Sequence, residues 1–98
     1  MLEKVKLALR IKTSVYNTEI QALIDSCKID LKLAGVLSDK IETADSENDI
    51  DPLIENAIIL YCKAYFGYDD NADRFKEAYV NQKIGMMLSI EYGGVASV

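Results

Sequence analysis

Between Pro52 and Phe66 the chain reads PLIENAIILYCKAYF, with Glu55, Asn56 and Lys63 its only strongly polar positions. A segment apolar on nearly every side predicts a helix enclosed by other helices. It is too short and too interrupted by charge to cross a bilayer, which takes ~20 mainly apolar residues. Asp51 can accept hydrogen bonds from the free N–H groups at its start, Pro52 suits the first helical position, and Gly67 can take the left-handed turn that stops it. Ala57, Ile58, Leu60 and Tyr61 are its predicted contribution to the core.

Three further segments carry helical spacing. Leu2, Val5, Ala8 and Leu9 share one face of a short helix ending near Arg10, with Lys4, Lys6, Arg10 and Lys12 expected to face solvent. After the connector Ile11 to Tyr16, Thr18 and Gln21 fit a capping box. Ile20, Leu23, Ile24, Cys27, Leu31 and Ala34 then recur at threes and fours, which predicts a helix from Glu19 to about Ala34. Gly35 fits the position just past its end, with Val36 folding back on Leu31. A fourth helix, capped by Asp70 or Asn71, has one stripe of Ala72, Phe75, Tyr79, Gln82 and Met86 and beside it a second of Val80, Ile84, Met87 and Leu88. Two stripes predict two burial partners, of which one can be the domain core and the other a neighbouring subunit. The tail after Ser89, with its Gly-Gly pair, is expected to be loose unless docked.

The stretch from Val36 to Asp51 breaks the pattern. Six acidic residues stand against one lysine from Asp39 to Asp51, and its few apolar residues show no period. It predicts an acidic loop, longer than the ~12 to 15 residues beyond which unstructured loops tend to be functional or disordered. The fold expected is all-α: a small bundle of four main helices around a central buried one, in a single domain over residues 1–98. An acidic loop at about 36–51 separates the second helix from the third, and a flexible tail occupies about 89–98.

Composition narrows the function. A chain of 98 residues, half of them hydrophobic, can bury ~65% of the surface its unfolded form exposes, enough for a core without disulfide or metal staples. A net charge of −5 argues against binding nucleic acid by neutralising phosphates, which needs clustered Lys and Arg. No basic segment leads into an apolar run at the N-terminus, so neither secretion nor membrane insertion is expected, and the cytoplasm is the expected starting compartment. The chain has no histidine, which removes the commonest general base, the commonest metal ligand and any Ser-His or Cys-His pair.

The remaining candidate chemistry is thin. Cys27 and Cys62 lie in apolar helical patterns, match no zinc spacing and are expected as buried, reduced thiols. A calcium loop through Asp45, Glu47, Asp49 and Asp51 fails twice, with Ile50 where the turning glycine is needed and Asn56 where the bidentate glutamate is needed. No glycine-rich phosphate loop is present. A helix-turn-helix also fits poorly, because the central helix offers almost no polar face to read bases. The expectation is a non-enzymatic, cofactor-free domain that binds other proteins.

The segment DPLIENAIILYCKAYFGYDDNADRFKEAYVNQKIGMMLSIEYG resembles the second half of the small head-tail connector proteins of tailed bacteriophages and prophages, also called DNA-packaging proteins. LEKVKLALRI followed by NTEIQALIDSCKIDLKLAGV is similar to that family's opening pattern of a short helix, a polar cap and a long helix ending in Ala-Gly. ILYCKAYFGYD with the RFKEAY segment is the distinctive part. The stretch from Leu37 to Asp51 departs from the family by being longer than the usual short connection. The resemblance implies a virion structural protein without catalysis that docks on the portal after DNA packaging. It would form a ring of its own copies with the portal's twelvefold symmetry and present its far side to a stopper or tail-completion protein. Host cytoplasm before assembly and the virion neck afterwards are the implied locations. The rival expectation is a small prophage regulatory protein acting as a monomer or dimer.

Assembly in a ring requires two different complementary surfaces per subunit. The segments the core seems able to spare are the acidic loop, through Asp39, Glu42, Asp45, Glu47 and Asp49, and the tail, through Ile90, Tyr92 and Val95. Ile84 and Met87 of the second stripe join them as candidate interface residues, while Leu23, Ile24, Cys27, Leu31, Phe75 and Tyr79 join the central helix as predicted core.

Overall fold

This computed structural model describes residues 1–36, 40–41, 51–66 and 71–93, and among them five helices have both ends described. They are α1 (Leu2–Leu9), α2 (Asn17–Leu33), α3 (Pro52–Tyr65), α4 (Ala72–Met87) and the single turn α5 (Ile90–Gly93). Lys40 and Ile41 are helical as well, and no strand occurs among the described residues. The chain is an all-α bundle of four main helices, as the periodicity predicts.

α3 is the hub, with α1, α2 and α4 all packed on it. Its start follows the sequence closely. The Asp51 carboxylate accepts from the backbone N–H of Leu53 at 2.9 Å and of Ile54 at 3.4 Å, and Pro52, which has no N–H to satisfy, opens the first turn. At the other end Phe66 turns to an extended conformation while its N–H still bonds to the Cys62 carbonyl. Gly67, the expected stop, lies outside the described residues. Ile54, Ala57, Ile58, Cys62 and Ala64 are buried, whereas Leu53 and Tyr65 near its two ends are exposed, so α3 is less completely wrapped than its composition implies.

α2 ends as expected. Gly35, at φ 103°, donates to the Lys32 carbonyl, and Val36 donates to the Leu31 carbonyl and is itself buried. These paired bonds satisfy carbonyls that a helix end otherwise leaves open. Its start differs from the predicted capping box. The helix begins at Asn17, so Thr18 lies inside the first turn, no side chain caps it, and the Gln21 amide instead donates to Asp25 at 3.0 Å. One turn of helical periodicity separates Gln21 from Asp25, close enough for such pairs.

α1 ends in a similar reversal, with Arg10 N–H on the Leu7 carbonyl and Ile11 N–H on the Lys6 carbonyl, but here the residue at positive φ (60°) is Arg10 rather than a glycine. Lys6, expected to face solvent, is almost buried. It borders the apolar face carrying Val5, and a lysine there can lay its methylene stem over the core. Lys4 does face outward and pairs with Glu55 of α3 at 3.4 Å.

One hydrophobic cluster joins all these elements. Val5, Ile20, Ile24, Cys27, Leu31, Ile54, Ala57, Ile58, Cys62, Tyr79 and Met86 form its buried centre. Ile41, an isolated apolar residue in the acidic stretch, is fully buried in the same cluster. The stretch therefore contributes to the core at that point. The rest of it, at 37–39 and 42–50, lies outside the described residues.

Candidate interaction surfaces

A polar clasp ties α2 to α4 at the edge of the core. The nearly buried Tyr79 hydroxyl donates to Asp30 Oδ2 at 2.6 Å, and the Lys83 ammonium reaches the same oxygen at 2.9 Å while lying 5.3 Å from the Tyr79 ring centre. Cys27 Sγ sits 3.7 Å from the Tyr79 oxygen. Tyr61 meets Tyr79 edge to face, with centroids 5.2 Å apart. Burial alone would raise the Asp30 carboxyl, but the hydrogen bonds from Tyr79 and Lys83 and the lysine charge outweigh it and hold the carboxyl below its ordinary range. Desolvation, with the nearby Cys27 and the hydrogen bond to Asp30, keeps the Tyr79 phenol protonated far above its ordinary range. A phenol held that firmly is a donor in a fixed bond, which suits a structural tie between helices.

The thiols have the environment expected of small hydrophobes. Cys27 and Cys62 are both buried and free, and desolvation pushes each up to about 12. Among the described residues no three His, Cys, Asp or Glu side chains gather as a metal site would require, and no helix is long and apolar enough to cross a membrane.

The outer surface carries apolar side chains that the core does not use. On α4, Val80, Ile84 and Leu88 follow one another at intervals of four and are all exposed, Leu88 to 73%. Spacing of four keeps them on one side of the helix. Lys76, four residues before Val80, with Glu77 and Asp73 beside it, all exposed, continues that side toward the start of α4. On α2, Ile29 and Leu33 stand one turn apart on the side turned away from the buried Ile20, Ile24, Cys27 and Leu31, with Leu33 83% exposed. Asp25, four residues before Ile29, with Ala22 and Ser26 beside it, extends that side, and Lys32 stands next to it, all exposed.

The tail is more committed than its glycines suggest. α5 returns Tyr92 to the start of α3, where its hydroxyl lies 2.9 Å and 3.0 Å from the two Asp51 carboxylate oxygens and its ring packs against the core cluster. The tail, expected to be loose unless docked, is docked as far as Tyr92, because the Asp51 carboxylate that caps α3 also accepts from its hydroxyl. Nearby, the Gln82 amide of α4 donates to the Leu53 carbonyl at 2.7 Å and accepts from Asn56 at 2.6 Å. Leu53, Gln82, Gly85, Met86, Ser89 and Tyr92 line a shallow groove of about 270 Å³ at this junction.

The structure divides the residues singled out in the sequence. Of the predicted core, Ile24, Cys27, Leu31, Ala57, Ile58 and Tyr79 are buried, while Leu23, Leu60, Tyr61 and Phe75 are half-buried at its margin. Phase explains the margin, since in a helix of 3.6 residues per turn a run such as Ile58–Tyr61 cannot point all its members one way. Of the predicted interface, Ile84 is exposed, Met87 packs partly into the core and Tyr92 is bound to Asp51. Ile90 opens α5. Asp39, Glu42, Asp45, Glu47, Asp49 and Val95 lie outside the described residues. The Ile29 and Leu33 pair was missed, although its signal was present as two large apolar residues off the helical stripe of α2.

Residues 1–93 match the family model of the phage connector proteins, and the chain belongs to that family. No curated protein and no solved structure matches it. Membership makes it a structural connector of a phage particle, in contact with other phage head or tail proteins.

Proposed function

We propose that this connector is a head-tail adaptor, without catalytic activity, that forms a ring of its own copies on the portal once the head is filled with DNA and then receives the stopper or tail. The observation that carries the reading is the presence of large exposed apolar residues on two different faces, Ile29 with Leu33 on α2 and Val80, Ile84 and Leu88 on α4. Two unlike faces suit a head-to-tail contact repeated around a ring, whereas one self-complementary face stops at a dimer. A net charge of −5 also suits a protein beside a DNA channel, because it repels phosphates and leaves the DNA free to move. Twelve copies, and the neck of the virion as their location, follow from the connector resemblance.

The experiment adds purified protein to DNA-filled, portal-bearing heads that lack it and images the product by electron microscopy. Stoichiometric density at the portal vertex, followed by restored tail joining, is the expected result. Heads that remain bare, with the protein instead bound to a host or prophage regulator, would replace the adaptor reading with the regulatory one.

A further inference from the structure

We infer that Tyr92 is a latch joining three segments of the chain, so that the seating of α5, the capping of α3 by Asp51 and the seating of Lys40 and Ile41 open and close together. The inference concerns the free subunit and does not depend on the adaptor reading.

Contacts reach Tyr92 from two distant segments. Its hydroxyl lies 3.0 Å and 2.9 Å from the two Asp51 oxygens, and the first of these also accepts from the backbone N–H of Leu53 at 2.9 Å and of Ile54 at 3.4 Å. A hydrogen bond to an ionised acceptor is among the stronger ones, so the phenol helps to hold the carboxylate in the orientation that caps α3. Over the ring stands the Lys40 ammonium, 5.4 Å from its centre, where a cation is attracted to an aromatic face. Tyr92 also packs against the buried cluster to which Ile41, the next residue after Lys40, belongs.

Gly93 fixes the position of the turn. Its N–H donates to the Ser89 carbonyl at 2.7 Å, and a β-carbon at this position would run into the Met87 carbonyl at the end of α4. Backbone conformation does not require the glycine, since among the described glycines only Gly35 has a positive φ. Room does: with no side chain at 93, α5 lies flush on the end of α4 and Tyr92 comes down onto Asp51.

Contacts that share one side chain are lost together when that side chain leaves. A partner that takes hold of the tail therefore also loosens the start of α3 and the 40–41 segment. Because coupling between sites is reciprocal, a partner that fixes the 40–41 segment tightens the tail.

The test reads amide exchange and methyl signals by NMR, residue by residue, in the full chain. Gly93→Ala crowds the Met87 carbonyl and leaves the side chains of Tyr92, Asp51 and Lys40 unaltered. It is expected to speed exchange at Leu53 and Ile54 at least about threefold, as for residues that share partners, and to shift the Ile41 methyl signals, although all three residues lie on other segments. Lys40→Ala, acting from the opposite side of the ring, is expected to speed exchange at Gly93, whose bond to Ser89 reports the seating of α5. Added to Gly93→Ala, it is expected to change Leu53 and Ile54 no further, because its contact with the ring is already gone. Circular dichroism melting checks that each variant folds. Tyr92→Phe, which keeps the ring and loses only the hydroxyl, is the second route should Gly93→Ala not fold, and is expected to speed exchange at Leu53, Ile54 and Gly93 together.

A Gly93→Ala or Tyr92→Phe variant in which exchange rises only on one side of the latch, in α5 or at the start of α3, overturns the inference. Unchanged exchange at Gly93 in Lys40→Ala does the same, as do effects of Gly93→Ala and Lys40→Ala that simply add. None of these measurements involves portal-bearing heads, so failure of the latch and failure of the adaptor reading are seen in different experiments.

Discussion

Replacing Tyr79 by Phe removes one oxygen that two side chains, Asp30 and Cys27, contact. The ring stays, so packing against Tyr61 and the core is retained, while Asp30 loses its 2.6 Å donor and keeps only Lys83 at 2.9 Å. Hydrogen bonds to charged groups contribute about 1.5 to 3 kcal/mol. The Asp30 side chain is 39% exposed, so water can replace part of what is lost and the expected cost falls to about 1 to 2 kcal/mol. The pH dependence identifies the cause. Asp30 has its carboxyl lowered in the folded state, so the stability it contributes is fully present above the unfolded carboxyl value of about 3.9 and is lost as pH falls through the lower folded value. Urea unfolding of wild type and Tyr79→Phe from neutral pH downward should show a constant gap that narrows only on the acid side of that value. Asp30→Asn should abolish most of the gap, which a double-mutant cycle with Tyr79→Phe quantifies. A penalty of equal size at every pH, or one unchanged in the Asp30→Asn background, would mean that Tyr79 acts through packing and that the clasp contributes little.

Other perturbations test separate parts of the fold. Ile58→Ala should cost about 2 to 5 kcal/mol in urea unfolding, because a fully buried side chain leaves a cavity, and Leu60→Ala distinctly less, because Leu60 lies at the margin. Asp51→Ala should lower the melting temperature more than Tyr92→Phe. It removes both the α3 cap, worth about 0.5 to 2 kcal/mol, and the acceptor for Tyr92, whereas the second variant keeps the cap. Cys27 and Cys62 should react slowly with a thiol reagent at neutral pH and rapidly in denaturant, since both are buried with their ionisation pushed up to about 12. Arg10→Gly should raise stability by about 0.5 to 1 kcal/mol, because glycine adopts φ 60° without the Cβ clash that arginine bears there.

What could be read from the sequence was whatever depends on neighbours along the chain. Asp51 with Pro52, Gly35 with Val36, and the threes and fours of α2 are local rules, and each appears in the structure at the expected residues. The capping box at Thr18 and Gln21 failed because helix entry was decided upstream, where α2 starts at Asn17 directly after the Ser14–Tyr16 turn. Ile41 and Tyr92 could not be found this way. Each is a single apolar or aromatic residue in a polar surrounding, with no period to mark it, and only the tertiary fold brings them to the core and to Asp51. Lys83 and Asp30 meet for the same reason: 53 residues separate them in sequence. As for the candidate surface, Ile84 was legible as part of a second stripe, but Met87 was drawn into the core by a phase difference too small for the pattern alone to resolve.

These two anchors alter the physical picture of assembly. If the whole of 36–51 and the whole tail were spare, ordering them on a partner would cost the conformational entropy of every residue in both, at about 1 to 2 kcal/mol each for the backbone. Ile41 and Tyr92 are instead held in the folded monomer, one in the core and one on the carboxylate that caps α3. Folding has therefore already met part of that cost, and whatever flanks these residues starts from a fixed point. The rigid outer faces of α2 and α4 cost less again, since their backbones are set by packing on α3 and only the side chains of Ile29, Leu33, Val80, Ile84 and Leu88 lose freedom on contact. If the subunit repeats one contact around a closed ring, as proposed, helix faces fixed in advance hold the angle between neighbours in a way that segments folding on arrival cannot.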